Sequence, residues 1–232
     1  MRLHRFYITQ PIVREGVNHF SSDSLVHQLS HVFRLHEGDK VIFFDGTGVD
    51  CECEIVSLER SEVVFRVVET YSVKPHSETK VVLALSLIKK DNFEWVIQKG
   101  TELGVSEFVP LISERSEKKG LNMERANKIL VEAIEQSGRS DVPTIREPQT
   151  LADFLAEEKR DVVAFHVMGE MFKKEIVPVA GEVVLCVGPE GGWSDKEIEM
   201  FKAKNAKVVS LNTPVLRAET AAVAVSTLFL VK

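Results

Sequence analysis

The sequence predicts an α/β protein in two parts. A small β-rich unit comes first, then a larger unit of alternating strands and helices on a mainly parallel sheet. Three observations carry this expectation. Short runs that mix polar and apolar residues, separated by tight turns, fill the first third. Residues 73–78 carry a proline and no periodicity, so they read as a linker. Beyond them, β-branched runs alternate with segments of helical period.

In the first part, residues 22–33 are expected to form a helix. Leu25, Leu29, Val32 and Phe33 follow the helical period, and Ser22 or Asp23 can cap it. A strand over 39–44 runs into the turn Asp45-Gly46-Thr47-Gly48. Residues 49–58 and 62–68 give two further strands, and short strands with tight turns make a small barrel. In the second part, strands are expected over 81–87, 107–112, 161–167, 183–187 and 207–211. Helices are expected from Asp91 to near Gly104, over 122–137, over 150–158, from Ser194 and over 218–230. Ser194-Asp195-Lys196-Glu197 has the form of a capping box.

The chain has 232 residues, enough for one large domain or two modest ones, with 44% hydrophobic and 28% charged residues. No apolar run approaches a membrane span, and the first residues lack the pattern of a signal peptide, so the expected location is the cytoplasm. The three cysteines, Cys51, Cys53 and Cys186, show no paired metal-ligand spacing, so no metal is expected. A net charge of −6 argues against coating nucleic acid by bulk electrostatics, but a local basic patch is compatible with it.

Two loops concentrate the chemistry. Gly188-Pro189-Glu190-Gly191-Gly192 lies between a strand and a helix, where α/β proteins bind ligands. A second loop, from Leu211 through Val215, Leu216 and Arg217 to Ala218, has the same placement. The chain has no G-x-G-x-x-G after its first strand, no P-loop and no G-x-S-x-G elbow. These absences argue against a dinucleotide fold, a P-loop nucleotide site and a hydrolase nucleophile.

These two loops together resemble the paired signature of the RsmE family of 16S ribosomal RNA methyltransferases. Gln98-Lys99-Gly100-Thr101-Glu102-Leu103-Gly104-Val105, Ser113-Glu114-Arg115 and the run from Glu135 to Pro143 match it too, as do His4-Arg5-Phe6, His31-Val32-Phe33-Arg34 and Phe44-Asp45-Gly46. The resemblance covers essentially the whole chain in order. It implies an N-terminal PUA-like RNA-binding β-barrel over residues 1–72 and a SPOUT α/β knot methyltransferase domain over 77–232. It also implies S-adenosylmethionine as cofactor, N3 of a uridine as methyl acceptor, 16S ribosomal RNA or the small subunit as partner, and a homodimer. The alternatives are a SPOUT enzyme for another RNA position and a catalytically silent RNA-binding assembly factor.

By the same resemblance the cofactor is expected at Val167, Gly188, Pro189, Glu190, Gly191, Gly192, Leu211, Val215, Leu216 and Ala218. RNA contacts are expected at His4, Arg5, His31, Arg34, Arg115 and Arg139. Removing the uridine N3 proton leaves negative charge on the uracil oxygens. Arg217 is the candidate to stabilise it. Glu190 and Glu219 stand open between proton acceptors and groups that favour the N-termini of the helices after them. The sequence departs from the family at Asn212-Thr213-Pro214, where a Gly-x-Arg triplet is usual. The usual arginine's role is therefore not carried over.

Overall fold

The structure is a computed structural model that describes residues 3–74, 77–117, 120–173, 175 and 181–231. Pro75 and His76 of the expected linker lie outside the described residues. The chain divides into two compact units. One comprises Met1–Pro75 with Ile134–Val142, the other His76–Ala133 with Pro143–Lys232.

The first unit is built on a five-stranded sheet in the order β1-β3-β4-β5-β2. The strands are β1 (Arg5–Tyr7), β2 (Val17–Ser21), β3 (Lys40–Phe44), β4 (Val49–Leu58) and β5 (Glu62–Ser72). β1 pairs with β3 in parallel and the other pairs are antiparallel. Period-two alternation along β4 puts Cys51, Cys53 and Ile55 on one face, in a core with Phe6, Phe43 and Phe65. The three cysteines of the chain are free and buried. Burial pushes the Cys53 thiol up to about 12, so it packs as a small apolar group.

The single helix expected over 22–33 is instead two pieces. α1 (Asp23–His27) is capped by Ser22, and the chain then continues as one π-helical turn, Gln28–Val32. A widened turn costs hydrogen-bond geometry, and no periodicity of apolar residues announces it. Arg34 follows at φ 54°, a left-handed conformation rare outside glycine.

Residues 134–142, assigned above to the second domain, cluster with the first unit. Buried polar pairing explains this. Arg5 forms an ion pair with Asp50, and both side chains are under a tenth exposed. The Ser140 hydroxyl donates to Asp50, and Arg5 donates to the Arg139 carbonyl at 2.8 Å. The Tyr7 amide donates to Glu135 at 2.9 Å.

The second unit carries a parallel sheet in the order β12-β10-β11-β6-β7-β8, with β9 also pairing with β7. Its strands are β6 (Thr79–Ser86), β7 (Glu107–Ile112), β8 (Thr144–Ile145), β9 (Gln149–Thr150), β10 (Asp161–Met171), β11 (Gly181–Val187) and β12 (Lys207–Ser210). The helices are α2 (Lys90–Leu103), α3 (Met123–Ser137), whose last turn belongs to the first unit, α4 (Leu151–Glu157), α5 (Asp195–Ala203) and α6 (Ala218–Leu230). Alternate residues of the central strands, such as Val82, Val184 and Cys186, pack with Phe154 of α4 and Phe201 of α5. On the other face Phe165 meets Phe229 of α6 edge-on, and α6 packs on α2. A sheet covered on both faces explains why β11 reads as an unbroken apolar run. Each of its fully buried valines or leucines contributes about 1.5–3 kcal/mol.

β10 outruns the expected strand and reaches Met171. Its register against β12 shifts between Phe165 and Glu170. A Cβ at Gly169 would lie 2.5–2.8 Å from the Val209 backbone, so only glycine lets the two strands meet there.

Candidate functional site

β10, β11 and β12 are neighbours and parallel, so their carboxyl ends and the loops after them gather on one edge of the sheet. A cavity of about 460 Å³ opens there. Its walls are Phe165, His166 and Val167 from β10, Val187 and the loop from Gly188 to Trp193, and Val209 and Ser210 from β12. Leu211, Thr213 to Arg217, and Ala218 and Ala221 of α6 complete it, with Arg115. Volume and mixed lining are those of a small-molecule site.

The glycine loop is held from three directions. The Trp193 indole donates to the Phe165 carbonyl at 3.1 Å and the ring meets Phe201 edge-on. This ties the loop to β10 and α5. The Gly192 amide donates to the Pro189 carbonyl at 2.8 Å, closing a turn in which Gly192 has φ 67°. Arg115 donates to the Gly191 carbonyl at 2.8 Å. The peptide group joining Gly191 to Gly192 is therefore bonded at both its carbonyl and its amide.

The turn after β7 is fixed to the same loop. Ser194 and Glu197 form the expected capping box at the start of α5. Glu197 also accepts from the Glu114 amide at 2.8 Å, and the Ser194 hydroxyl donates to the Glu114 carboxylate at 2.8 Å. One buried glutamate thus caps a helix and anchors a second loop.

All ten residues expected at the cofactor line this cavity: Val167, Gly188, Pro189, Glu190, Gly191, Gly192, Leu211, Val215, Leu216 and Ala218. Arg217 and Glu190 line it too. Arg217 is exposed, and its side chain makes no hydrogen bond or ion pair among the described residues, so neither glutamate holds it. Glu190 accepts from the Lys89 amide at 3.4 Å. Glu219 is not part of the lining, and its Oε2 is buried without a hydrogen-bond partner. Asn212 adopts φ 52°, so the Asn-Thr-Pro segment turns where a glycine is usual, and Thr213 and Pro214 reach the cavity wall.

The residues expected at RNA separate into three groups. His4, His31 and Arg34 are exposed on the first unit. Arg115 lies at the cavity of the second. Arg5 and Arg139 correct the sequence reading. Arg5 pairs with Asp50 and stacks 4.8 Å over the Phe44 ring, and Arg139, 3% exposed, is paired with Asp141. Buried charges must be paired, and these two are neutralised inside the unit. Sequence reading missed Phe165, His166, Val187, Trp193, Val209, Ser210 and Ala221, whose only signal is their place in the chain beside Val167 or the two loops. Among the described residues no group of three or more His, Cys, Asp or Glu is placed to hold a metal, and no helix is long and apolar enough to cross a membrane.

A sheet edge with two such loops, joined to a separate β-rich unit, defines a two-part α/β protein with a cofactor-sized site. Residues 75–230 match the model of the RNA methyltransferase domain, and residues 29–68 match that of the RNA methyltransferase PUA domain. The chain is 31% identical over 237 residues to ribosomal RNA small subunit methyltransferase E of Bacillus subtilis, covering 94% of this chain and 93% of that protein. It is 30% identical over 229 residues to the Rickettsia conorii protein of the same name, covering 96% and 93%. Among solved structures, ribosomal RNA small subunit methyltransferase E of Neisseria gonorrhoeae, bound to S-adenosyl methionine, aligns with TM-score 0.90 at 26% identity over 97% of this chain and 96% of that one. A Legionella pneumophila methyltransferase in complex with SAM aligns with TM-score 0.88 at 28% identity over 99% and 97%. The chain belongs to the RNA methyltransferases, within the ribosomal RNA small subunit methyltransferase E family.

Proposed function

We propose that this protein methylates N3 of a uridine in 16S ribosomal RNA, using S-adenosylmethionine. The observation that carries the reading is the 460 Å³ cavity into which the two signature loops converge, with an unpartnered arginine on its wall. The lining fits the cofactor. Val167, Pro189, Leu211, Val215 and Leu216 offer an apolar cleft for a purine, and the backbone of the glycine loop offers donors and acceptors for ribose and amino-acid groups. When bound, the cofactor supplies a methyl group on a positively charged sulfur.

The chain's own work is positioning and charge stabilisation. Transfer is an in-line displacement, so holding the two reactants in register lowers the barrier directly. Arg217 stands at the start of α6 and carries a permanent charge with planar donors. It stabilises the anion left when the uridine loses its N3 proton. Glu190 lines the cavity and Glu219 does not, which favours Glu190 as the proton acceptor.

The working form is a homodimer in the cytoplasm. Val167, Met168, Met171 and Val215, all at least 60% exposed, lie at or next to the cavity's wall, and a second copy would cover them. Sedimentation of the purified chain tests the dimer. Mapping modified nucleotides in ribosomal RNA with and without the protein tests the reaction. An N3 methyl blocks the pairing edge of uracil, so reverse transcription stops at the modified uridine. No protein-dependent stop in small-subunit RNA, or a mark at another base or atom, refutes the assignment.

A further inference from the structure

Two polar side chains on the wall of the cavity have no role in the chemistry above. They are His166 of β10 and Ser210, the last residue of β12. We propose that they form a donor pair that holds the carboxylate at the amino-acid end of the cofactor. The proposal rests on the reading of this cavity as the cofactor site.

The hydrogen bonds fix the tautomer of His166. The Met168 amide donates to its Nδ1 at 3.2 Å. A ring nitrogen that accepts carries no proton, so the neutral ring has its proton on Nε2, which is a donor. The backbone makes this possible. Phe165 and Glu170 both stand opposite Val209 of β12, so residues 166–169 leave the ladder between them. The Met168 amide lies in that excursion and turns back onto the ring, as irregularities in a strand re-aim side chains beside a site. Ser210 repeats the arrangement on the neighbouring strand. The Asn212 amide donates to Ser210 Oγ at 3.3 Å, with Asn212 at φ 52°. The hydroxyl proton stays available. In both residues an amide two positions further on takes the acceptor and leaves the donor. Register relates the two residues, because each comes next after one member of the paired Phe165 and Val209.

The other side chains of the wall that have a single proton to give have already given it. Trp193 donates to the Phe165 carbonyl at 3.1 Å and Thr213 to the Pro214 carbonyl at 3.0 Å. The group that suits two adjacent donors accepts at two atoms and carries no proton. In S-adenosylmethionine that group is the carboxylate. The ribose hydroxyls donate as well as accept, each adenine ring nitrogen offers one lone pair, and the ammonium and sulfonium are cations. Charge agrees. With the imidazole neutral, the charged side chains of the wall are Arg115, Arg217 and Glu190, so the lining is net positive and favours an anion. Hydrogen bonds to an ionised acceptor are about twice as strong as those between neutral groups.

The test is calorimetry on the full chain with S-adenosylmethionine and with its decarboxylated form, which lacks only the carboxylate. The unsubstituted chain should bind the first about tenfold tighter or more. His166→Phe and Ser210→Ala should each weaken S-adenosylmethionine about tenfold, the loss of one hydrogen bond to a charged group, and leave the decarboxylated form unchanged. His166→Gln, whose amide keeps a donor, should recover part of the loss. Single-turnover transfer at saturating cofactor should keep its normal rate in all three variants, because the carboxylate is held equally before and during transfer. Equal loss for both ligands would show that the side chains only pack the wall. That result, or unchanged affinity for S-adenosylmethionine, overturns the donor pair while leaving the cavity as the cofactor site. Failure of the unsubstituted chain to bind S-adenosylmethionine at all overturns both.

Discussion

Replacing Arg217 with alanine should separate turnover from stability. The side chain is exposed and makes no hydrogen bond or ion pair among the described residues, so its removal breaks no contact that holds the fold. A surface substitution of that kind changes stability by at most about 0.5 kcal/mol. For a chain of this size that moves the melting temperature by about 1–2 °C. The effect on chemistry is of another order. Loss of one preorganised donor at a developing negative charge costs about 2.7–4 kcal/mol of barrier, or roughly 100- to 1,000-fold in rate. Arg217→Lys should recover only part, because an ammonium lacks the planar fork. The assay is single-turnover transfer of a labelled methyl group at saturating cofactor, run beside a melting curve. A variant that melts many degrees lower, yet transfers at the normal rate per bound complex, would show that Arg217 only supports the loop.

Other substitutions test the scaffold. Arg5→Ala leaves Asp50 charged and buried, so the first unit should lose about 3–5 kcal/mol in denaturant unfolding, a loss that a surface RNA contact would not produce. Gly191→Val should weaken cofactor binding in calorimetry by about 1–3 kcal/mol through overpacking. A Cβ there already lies 3.3 Å from Cβ and 3.4 Å from Cδ of Arg115, so the larger side chain must displace the arginine that fixes the loop. Glu158 gives a pH signature. Burial pushes its carboxyl up, but the Arg160 guanidinium and the amides of Arg160 and Lys159 outweigh this and hold it at about 2. A depressed carboxylate stabilises the fold fully above its unfolded value, near 4.5, and the contribution disappears as pH falls to about 2. Glu158→Gln should flatten stability against pH across that interval, seen in urea midpoints.

What was legible in the sequence follows from what is local. The helices that start at Ser194 and stop near Gly104 announce themselves through caps, and the unbroken apolar run of β11 announces burial on both faces. The two loops that line the cavity were legible for the same reason, since glycine and proline at strand ends are contiguous signals. Glu197 shows where this stops. Its capping role is written three residues from Ser194, but its bond to the Glu114 amide joins residues 83 apart and leaves no trace in spacing. Arg5 and Arg139 failed in the same way. Nothing next to either in the chain reveals that Asp50 lies beside Arg5, or that both arginines are covered. The short strands β1, β2, β8 and β9 have too few residues for a period to emerge.

The first unit is assembled from two stretches of chain, and this sets the order in which it is completed during synthesis. Domains made early on the ribosome ordinarily fold as they emerge. Here the segment Ile134–Val142, which supplies the Ser140 hydroxyl to Asp50, arrives only after residues 76–133 of the other unit have been made. Until then the Arg5–Asp50 pair has neither the Arg139 carbonyl nor the Ser140 hydroxyl. A nascent chain stalled before Ile134 should therefore present an N-terminal unit that proteases cut readily, and one stalled well past Val142 should resist them.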